Sequence, residues 1–135
     1  MIYAVIDTNV LVAALLTKNE DASTYRLARL LSQGVLTPLY DSDIIAEYME
    51  VLSRPKFKFP KSAVNELVSA IVDFGAESLR VSYNSSLPDE SDRVFYEVAL
   101  SKKDAYLVAG NQKHFPRTPI VVTPAEMLDI VSRHQ

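Results

Sequence analysis

The sequence predicts an α/β fold in which a parallel sheet is covered on both faces by helices. Two observations support this prediction. Short stretches with the composition of strands alternate along the chain with longer stretches of helical periodicity. Most of the strand stretches are apolar on successive residues, which is typical of strands buried on both faces. Both features favour helices that connect parallel strands and cover the sheet they form.

The first half of the chain is predicted to supply two strands and four helices. Gly34 is placed to close the second helix, the capping residues 41–43 open the third, and Pro55 stops it. Gly75 ends the fourth helix. In chain order these elements are a strand at 1–6, helices at 9–16 and 22–33, a strand at 35–40, and helices at 41–55 and 61–74.

The second half is predicted to supply three strands and two helices. A polar, turn-rich loop, YNSSLPDESD, separates the first of these strands from the helix that follows it. Pro124 stands at the first turn of the last helix, where proline is tolerated. The elements are a strand at 77–82, a helix from about 90 to 102, strands at 105–110 and 119–123, and a helix at 124–133.

Length and composition restrict the class of protein. The 135 residues fit one domain over residues 1–135, since the chain contains no repeat or linker. The net charge of −3 excludes a large basic field, so any nucleic acid must be held locally. The absence of cysteine excludes disulfides, thiolate nucleophiles and cysteine-based metal sites. Without a basic leader or a long apolar span, we expect a soluble, cytoplasmic protein.

Four oxygen-bearing side chains are predicted to meet at the edge of the sheet where the strands end. Asp7 interrupts an apolar run directly after the first strand, and Glu47 lies one turn into the helix after the second. Asp92 lies in the first turn of the helix after the third strand, and Asn111 follows the fourth. Functional crevices of open parallel sheets lie beyond the carboxyl ends of the strands. We therefore expect these residues to share a site.

Most of these residues also have an ordinary structural explanation. Asp7 and Asp92 stand where helix N-caps are found, and Asn111 could be a turn residue. Glu47 is harder to explain in this way, because it borders the apolar face of its helix. Carboxylates on the buried side would repel one another unless a cation lay between them. Hard oxygen ligands select Mg²⁺ or Mn²⁺ over zinc, and such an ion suits phosphodiester hydrolysis.

Four stretches of the chain resemble, in the right order, successive motifs of the PIN-domain family. They are VIDTNVLVAALL, DSDIIAEYMEVLSRP, LPDESDRVFYEVAL and AYLVAGNQKHFP. In detail they are similar to the branch described as toxins of type II toxin–antitoxin pairs. The resemblance implies a three-layer α/β/α sandwich with a central, mainly parallel sheet of four or five strands. It also implies a Mg²⁺- or Mn²⁺-dependent endoribonuclease that leaves 5′-phosphate and 3′-hydroxyl ends.

Carried over position by position, the resemblance assigns Asp7, Glu47 and Asp92 as catalytic residues and metal ligands. Asn9 and Asn111 become secondary site residues. The family commonly has aspartate at the position of Asn111, and this departure puts a second metal ion in question, because an amide binds magnesium more weakly than a carboxylate. The resemblance further implies an RNA substrate, an antitoxin partner and a homodimer. Two further acids of lower rank are Asp89 and Asp104.

A basic, aromatic stretch, SRPKFKFPKS, is a candidate path for the substrate. Its cations Arg54, Lys56 and Lys58 alternate with aromatic rings, a mixture that suits a phosphate backbone and stacked bases. Lys113, further along the chain, is a fourth candidate contact. Cations at this place are equally explained as complements to a helix C-terminus.

Other functions fit the sequence less well. A metal-free ribonuclease would need two histidines for acid and base work, but the chain has only His114 and His134, and His134 is next to its end. The alternative from another class is a catalytically weakened PIN-like module that binds RNA or a protein without cutting. This alternative stays open because asparagine stands at position 111, where the family commonly has aspartate.

Overall fold

A five-stranded parallel sheet forms the centre of the molecule in the computed structural model, which describes residues 1–134. The strand order is β3-β2-β1-β4-β5, and every pair of neighbouring strands is parallel. The strands are β1 (Tyr3–Ile6), β2 (Thr37–Tyr40), β3 (Ala76–Glu77), β4 (Tyr106–Val108) and β5 (Val121–Val122). Because β1 pairs with both β2 and β4, the chain changes direction across the sheet at β1, where open sheets of this class bind ligands.

Six helices of the described residues cover the two faces of the sheet. They are α1 (Thr8–Leu16), α2 (Ser23–Ser32), α3 (Ser42–Leu52), α4 (Lys61–Phe74), α5 (Arg93–Leu100) and α6 (Pro124–Arg133). Helix α2 contacts α1, α4 and α6, so these helices form one layer. Helix α5 packs on β1, β2 and β4, and the right-handed crossover rule places it on the opposite face. The α/β/α sandwich is therefore confirmed.

The strands of the centre are buried on both faces, as their unbroken apolar sequence predicts. Ala4, Val5 and Ile6 of β1 and the neighbouring Leu107 and Val108 of β4 are all fully inaccessible to solvent. A residue that directly follows these strands at the edge of the sheet is therefore shielded from solvent. None of the helices within residues 1–134 has the length and apolar character needed to cross a membrane.

The third predicted strand and the helix after it differ from the sequence prediction. Strand β3 covers only Ala76–Glu77, and although Ser78 still donates to the carbonyl of Tyr40 at 2.8 Å, the next residue, Leu79, is 85 % exposed. The predicted helix from residue 90 starts as a 3₁₀ turn, Glu90–Asp92, and becomes α-helical at Arg93. The cause is local, because the Asp89 carboxylate accepts the N–H of Ser91 and tightens this turn.

Two glycines end helices for different physical reasons. Gly34 follows α2 with a φ of 71°, the left-handed conformation that glycine adopts without steric cost. Gly75 has an ordinary negative φ, but a Cβ there would collide with the backbone carbonyl oxygens of Ile71 and Pro38. Glycine at position 75 therefore lets the end of α4 approach β2 closely.

Candidate active site

Asp7 is a buried carboxylate at the end of β1. Its N–H donates to the carbonyl of Val108 at 2.9 Å, which fixes the residue between the ends of β1 and β4. Asp7 stands at the N-cap position of α1, yet within the described residues its side chain makes no capping hydrogen bond. Only 5 % of the residue is exposed. The N-cap explanation therefore accounts for the place of Asp7 in the chain. It provides no capping hydrogen bond among residues 1–134 that would stabilise the charge of the carboxylate.

The pKa of Asp7 reflects this environment. Burial is the largest cause, and together with the negative charge of Asp92 it raises the pKa from 3.8 to about 6. His114 and the N–H groups of Thr8 and Asn9 act in the opposite direction. These N–H groups lie near enough to lower the pKa, although neither forms a capping hydrogen bond. The site thus holds a carboxylate whose ionisation is only partly compensated.

Asp92 brings a second carboxylate to the same place from the other helix layer. It occupies the N-cap position of α5 without capping it, and its Oδ2 atom is buried with no hydrogen-bond partner among residues 1–134. Burial raises its pKa, as do the charges of Asp89 and Glu47, whereas His114 lowers it. An unpartnered carboxylate oxygen in a low-dielectric site is costly, and native proteins usually satisfy such an atom.

Arg93 fastens the loop that leads to Asp92. Its guanidinium donates to the carbonyl of Tyr83, to that of Ser85 at 2.8 Å, and to the carboxylate of Glu90 at 2.6 Å. The Glu97 carboxylate in turn accepts the N–H of Tyr83 at 2.9 Å. A planar, five-donor group is well suited to hold several loop acceptors at once. The position of Asp92 is therefore set by the start of α5 and not by a free loop.

Glu47 approaches the site from α3. The residue is half-buried, and burial is the largest cause of its raised pKa, followed by the charge of Glu50. Asp89 raises the pKa further, while Arg54 lowers it. Glu50, on the exposed side of the helix, is paired with Arg54 at 2.9 Å. Two glutamates of one helix thus have different surroundings, and the one near the other acids has no salt-bridge partner within residues 1–134.

Tyr48 holds α3 against the end of β1 and was not recognised from the sequence as more than a core aromatic. Its ring is fully buried, and its hydroxyl donates to the carbonyl of Ile6 at 2.6 Å, one residue before Asp7. Burial and the negative charge of Asp7 raise the pKa of Tyr48 well above its usual value, so the hydroxyl remains a donor. Tyr48 therefore holds the turn of α3 that carries Glu47 against the end of β1.

We predict that Tyr48→Phe destabilises the protein by about 1 to 3 kcal/mol, because the mutation removes a buried donor from a carbonyl oxygen. Urea unfolding measures the effect, with Tyr25→Phe on α2 as the matched control. Equal stability of Tyr48→Phe and the wild type would show that this hydrogen bond does not hold α3 in place.

Asn111 and His114 lie at the two ends of a single turn after β4. Asn111 Oδ1 accepts the N–H of Lys113 at 3.1 Å, so the turn-residue alternative accounts for this oxygen. Asn111 Nδ2 lies 3.3 Å from His114 Nε2, and His114 Nδ1 lies 3.7 Å from Asp92 Oδ2. The sequence places His114 near the site as a surface residue, and it does not reveal the contact of this ring with Asp92. Asn9 lies next to the site but is exposed.

A comparison with protein-family models gives one match, to the family described as PIN domain, over residues 3–113. The chain belongs to the PIN-domain family. The match spans Asp7, Glu47, Asp92 and Asn111, and it confirms the resemblance seen in the sequence motifs. Neither the curated proteins nor the solved structures contain a significant match. PIN domains are in general nucleases that act on RNA with the help of divalent metal ions.

The donors of this PIN domain fit a hard divalent cation in their chemistry. The charge of Asp92 raises the pKa of Asp7, and one buried Asp92 oxygen lacks a hydrogen-bond partner among the described residues. Glu47 lies near enough to affect the pKa of Asp92. In the described part of the chain, no three acidic or histidine side chains lie close enough together to hold a metal ion in their present positions. The residues thus supply carboxylate oxygens of the kind that Mg²⁺ and Mn²⁺ prefer.

The remaining acids of the sequence prediction lie at different ends of the molecule. Asp89 is exposed, caps the 3₁₀ turn before α5, and raises the pKa of both Glu47 and Asp92. Asp104 precedes β4 with a φ of 64° and therefore lies at the opposite edge of the sheet. Because the start and the end of a strand are at opposite edges of the sheet, Asp104 lies in the turn before β4 and away from the acidic residues.

The basic, aromatic stretch of the PIN domain is largely occupied by its own contacts. Phe57 and Phe59 stack on each other with ring centroids 5.2 Å apart, and Lys56 Nζ lies 5.1 Å from the centroid of Phe57. Arg54 forms the ion pair with Glu50, while Lys58 is exposed in a left-handed turn with a φ of 55°. Arg54 remains close enough to lower the pKa of Glu47.

Proposed function

We propose that this PIN domain is a Mg²⁺- or Mn²⁺-dependent endoribonuclease. The single observation that carries the proposal is the buried carboxylate of Asp7, whose pKa is raised by the charge of the half-buried Asp92, while the buried Oδ2 atom of Asp92 has no hydrogen-bond partner among the described residues. A divalent ion would offset both the burial of the carboxylates and the repulsion between their charges. If the two residues had a purely structural role, no contact within residues 1–134 would fully compensate for these effects. The membership of a family of nucleases supports the same conclusion.

Asp7, Glu47 and Asp92 would hold the ion. When bound, such an ion lowers the pKa of a coordinated water and neutralises charge that develops on a phosphate. Asp7 and Asp92 are fixed by the ends of β1 and the start of α5, and Glu47 is fixed through Tyr48. His114 beside Asp92 would favour the ionised carboxylate when its ring is protonated. Asn9 and Asn111 are secondary residues of the site in this proposal.

Two finer parts of the proposal rest on the motif resemblance alone. These are a role as the toxin of a type II pair with an antitoxin partner, and a homodimeric state. A cytoplasmic location is proposed from the composition, which contains no cysteine. The RNA backbone would be held by cations near the acidic site. Lys113 is the strongest of the four candidates, since it lies on the same turn as His114; the other three are Arg54, Lys56 and Lys58.

The test is RNA cleavage by Glu47→Gln in comparison with Glu50→Gln. Both variants remove one carboxylate from α3, but only Glu47 faces the other acids, whereas Glu50 is exposed and paired with Arg54. We expect Mn²⁺-dependent cleavage by the wild type and by Glu50→Gln, and none in EDTA. Residues that merely support metal ligands cost about 10- to 100-fold when lost, so Glu47→Gln should cost at least about 100-fold. Equal activity of the two variants would contradict the assignment of Glu47.

The second candidate function, a non-cutting module that binds RNA or a protein, is favoured by one observation. The oxygen of Asn111 is engaged in capping its own turn, at a position where the family pattern commonly has a carboxylate. This function predicts that the wild type binds RNA without any cleavage in Mn²⁺, whatever residue stands at position 47. The same assay therefore separates the two functions.

A further inference from the structure

A cavity of about 570 Å³ lies against the turn that carries His114. This turn, Gln112–His114, directs His114 towards Asp92 and contributes Lys113 to the lining of the cavity. The cavity is lined further by residues 115–118 and by Val121 of β5. Its volume lies in the range of about 300 to 1,000 Å³ that is typical of sites for small ligands.

The walls of the cavity are held in place by hydrogen bonds. Gln112 Nε2 donates to the carbonyl of Val121 at 2.9 Å and to a carboxylate oxygen of Glu126 at 3.3 Å. Glu126 is itself fixed by the reciprocal capping box with Thr123 at the start of α6. The turn after β4 is thereby tied to β5 and to α6. The cavity therefore exists before any ligand enters it, which lowers the cost of binding.

The lining combines two free cations with an apolar floor. Lys113 and Arg117 are both exposed, and neither forms an ion pair within the described part of the chain. Phe115 and Val121 are buried side chains. Pro116, which follows Phe115 in the chain, is half-buried. Cations suit a phosphate, and an apolar floor suits the face of a base.

We propose that this cavity receives one unpaired nucleotide of the RNA strand, next to the phosphate that is cut. Its phosphate would be bound by Lys113 and Arg117, and its base would pack on Phe115, Pro116 and Val121. The inference rests on the proposed ribonuclease function, and it adds to it a nucleotide subsite outside the acidic site. A base can enter such a cavity only when it is unpaired, as it is in a single strand or a loop.

The first experiment measures binding of a fluorescently labelled single-stranded RNA by anisotropy. All proteins carry Asp7→Asn, which blocks cleavage in the proposed function. The cavity variant is Lys113→Ala with Arg117→Ala. The matched control is Lys102→Ala with Lys103→Ala, which removes two positive charges from the opposite edge of the sheet, where Lys102 Nζ lies 4.2 Å from the ring centroid of Tyr3 at the start of β1. A thermal melt checks that both variants are folded.

We expect the cavity variant to bind about tenfold more weakly than the control. Each phosphate neutralised on a single strand contributes about 0.7 to the slope of log affinity against log salt, so the slope should fall by about 1.4. A second experiment uses RNAs with one abasic position each. At one position the loss of the base should weaken binding by roughly 5- to 150-fold, and this loss should shrink in the cavity variant.

The outcomes separate this inference from the proposed function. If the wild type cuts RNA but the cavity variant and the control bind it equally, the nuclease stands and the inference is overturned. If the wild type never cuts RNA but the cavity variant binds it more weakly than the control, the nucleotide site stands and the nuclease proposal fails. No measurable binding of RNA by the parent protein, or no position at which the base matters, also overturns the inference.

Discussion

Replacing Asp7 by asparagine is expected to abolish RNA cleavage and, at the same time, to make the metal-free protein more stable. The second effect follows from the raised pKa. A carboxyl group whose pKa rises from 3.8 in the unfolded chain to about 6 in the folded protein costs about 3 kcal/mol of folding free energy once it is ionised. Asparagine has nearly the same shape and no charge, so it removes this cost.

The loss of activity has a separate cause. Asp7 lies directly after β1, and its N–H is fixed to the carbonyl of Val108 in β4, so its carboxylate is held at the ends of two central strands. We expect a fall of at least about 100-fold, the upper limit seen for residues that only support a ligand. Gel-based cleavage of RNA in Mn²⁺ and urea unfolding in EDTA measure the two effects on the same preparation.

The control for both effects is Asp21→Asn, which changes an exposed aspartate in the loop between α1 and α2. It should leave cleavage unchanged and alter stability by less than about 0.5 kcal/mol, as surface substitutions usually do. The combination of lost activity and gained stability is diagnostic of a functional residue, because residues that only stabilise a fold show losses of both. An Asp7→Asn protein that cuts RNA as well as the wild type does would disprove the assignment.

The sequence predicts the sheet and the acidic residues because both leave local signals. Strands buried on both faces are apolar throughout, and the charge of Asp7 within such a run is visible without coordinates. Glu47 and Asp92 are detectable because each lies on or beside the apolar face of a helix. The length of β3 was not predictable in this way, because Leu79 and Val81 have strand character but face solvent.

The contacts that complete the site join residues far apart in the sequence, and they leave no local signal. Tyr48 reaches a carbonyl 42 residues away, and its periodicity is that of any core aromatic. His114 is a site residue only because β4 and α5 lie side by side, which brings Asp92 near it. Whether Asp7 and Asp92 cap their helices also depends on side-chain rotamers, which tertiary packing sets.

Divalent cations are expected to stabilise the wild type strongly at about neutral pH and weakly at about pH 4, because only the ionised carboxylates bind them. The folded protein keeps a proton on Asp7 up to about pH 6, whereas the unfolded chain loses it near 3.8. Between these values the folded state binds more protons, so the stability of the metal-free protein falls as the pH rises. The raised pKa values of Glu47 and Asp92 act in the same direction.

The measurement is urea unfolding in EDTA and in Mn²⁺ across this pH range, for the wild type and for Asp7→Asn. At a concentration about 100 times its dissociation constant, Mn²⁺ should add about 2.7 kcal/mol to the wild type near pH 7. This gain should disappear towards pH 4 and should be much smaller in Asp7→Asn at every pH. The exposed Asp89 and Glu90 have lowered pKa values and act in the opposite direction, but the difference between the two proteins removes their contribution. An equal gain from Mn²⁺ in both proteins would show that the ion binds elsewhere, and that repulsion between Asp7 and Asp92 is not what it relieves.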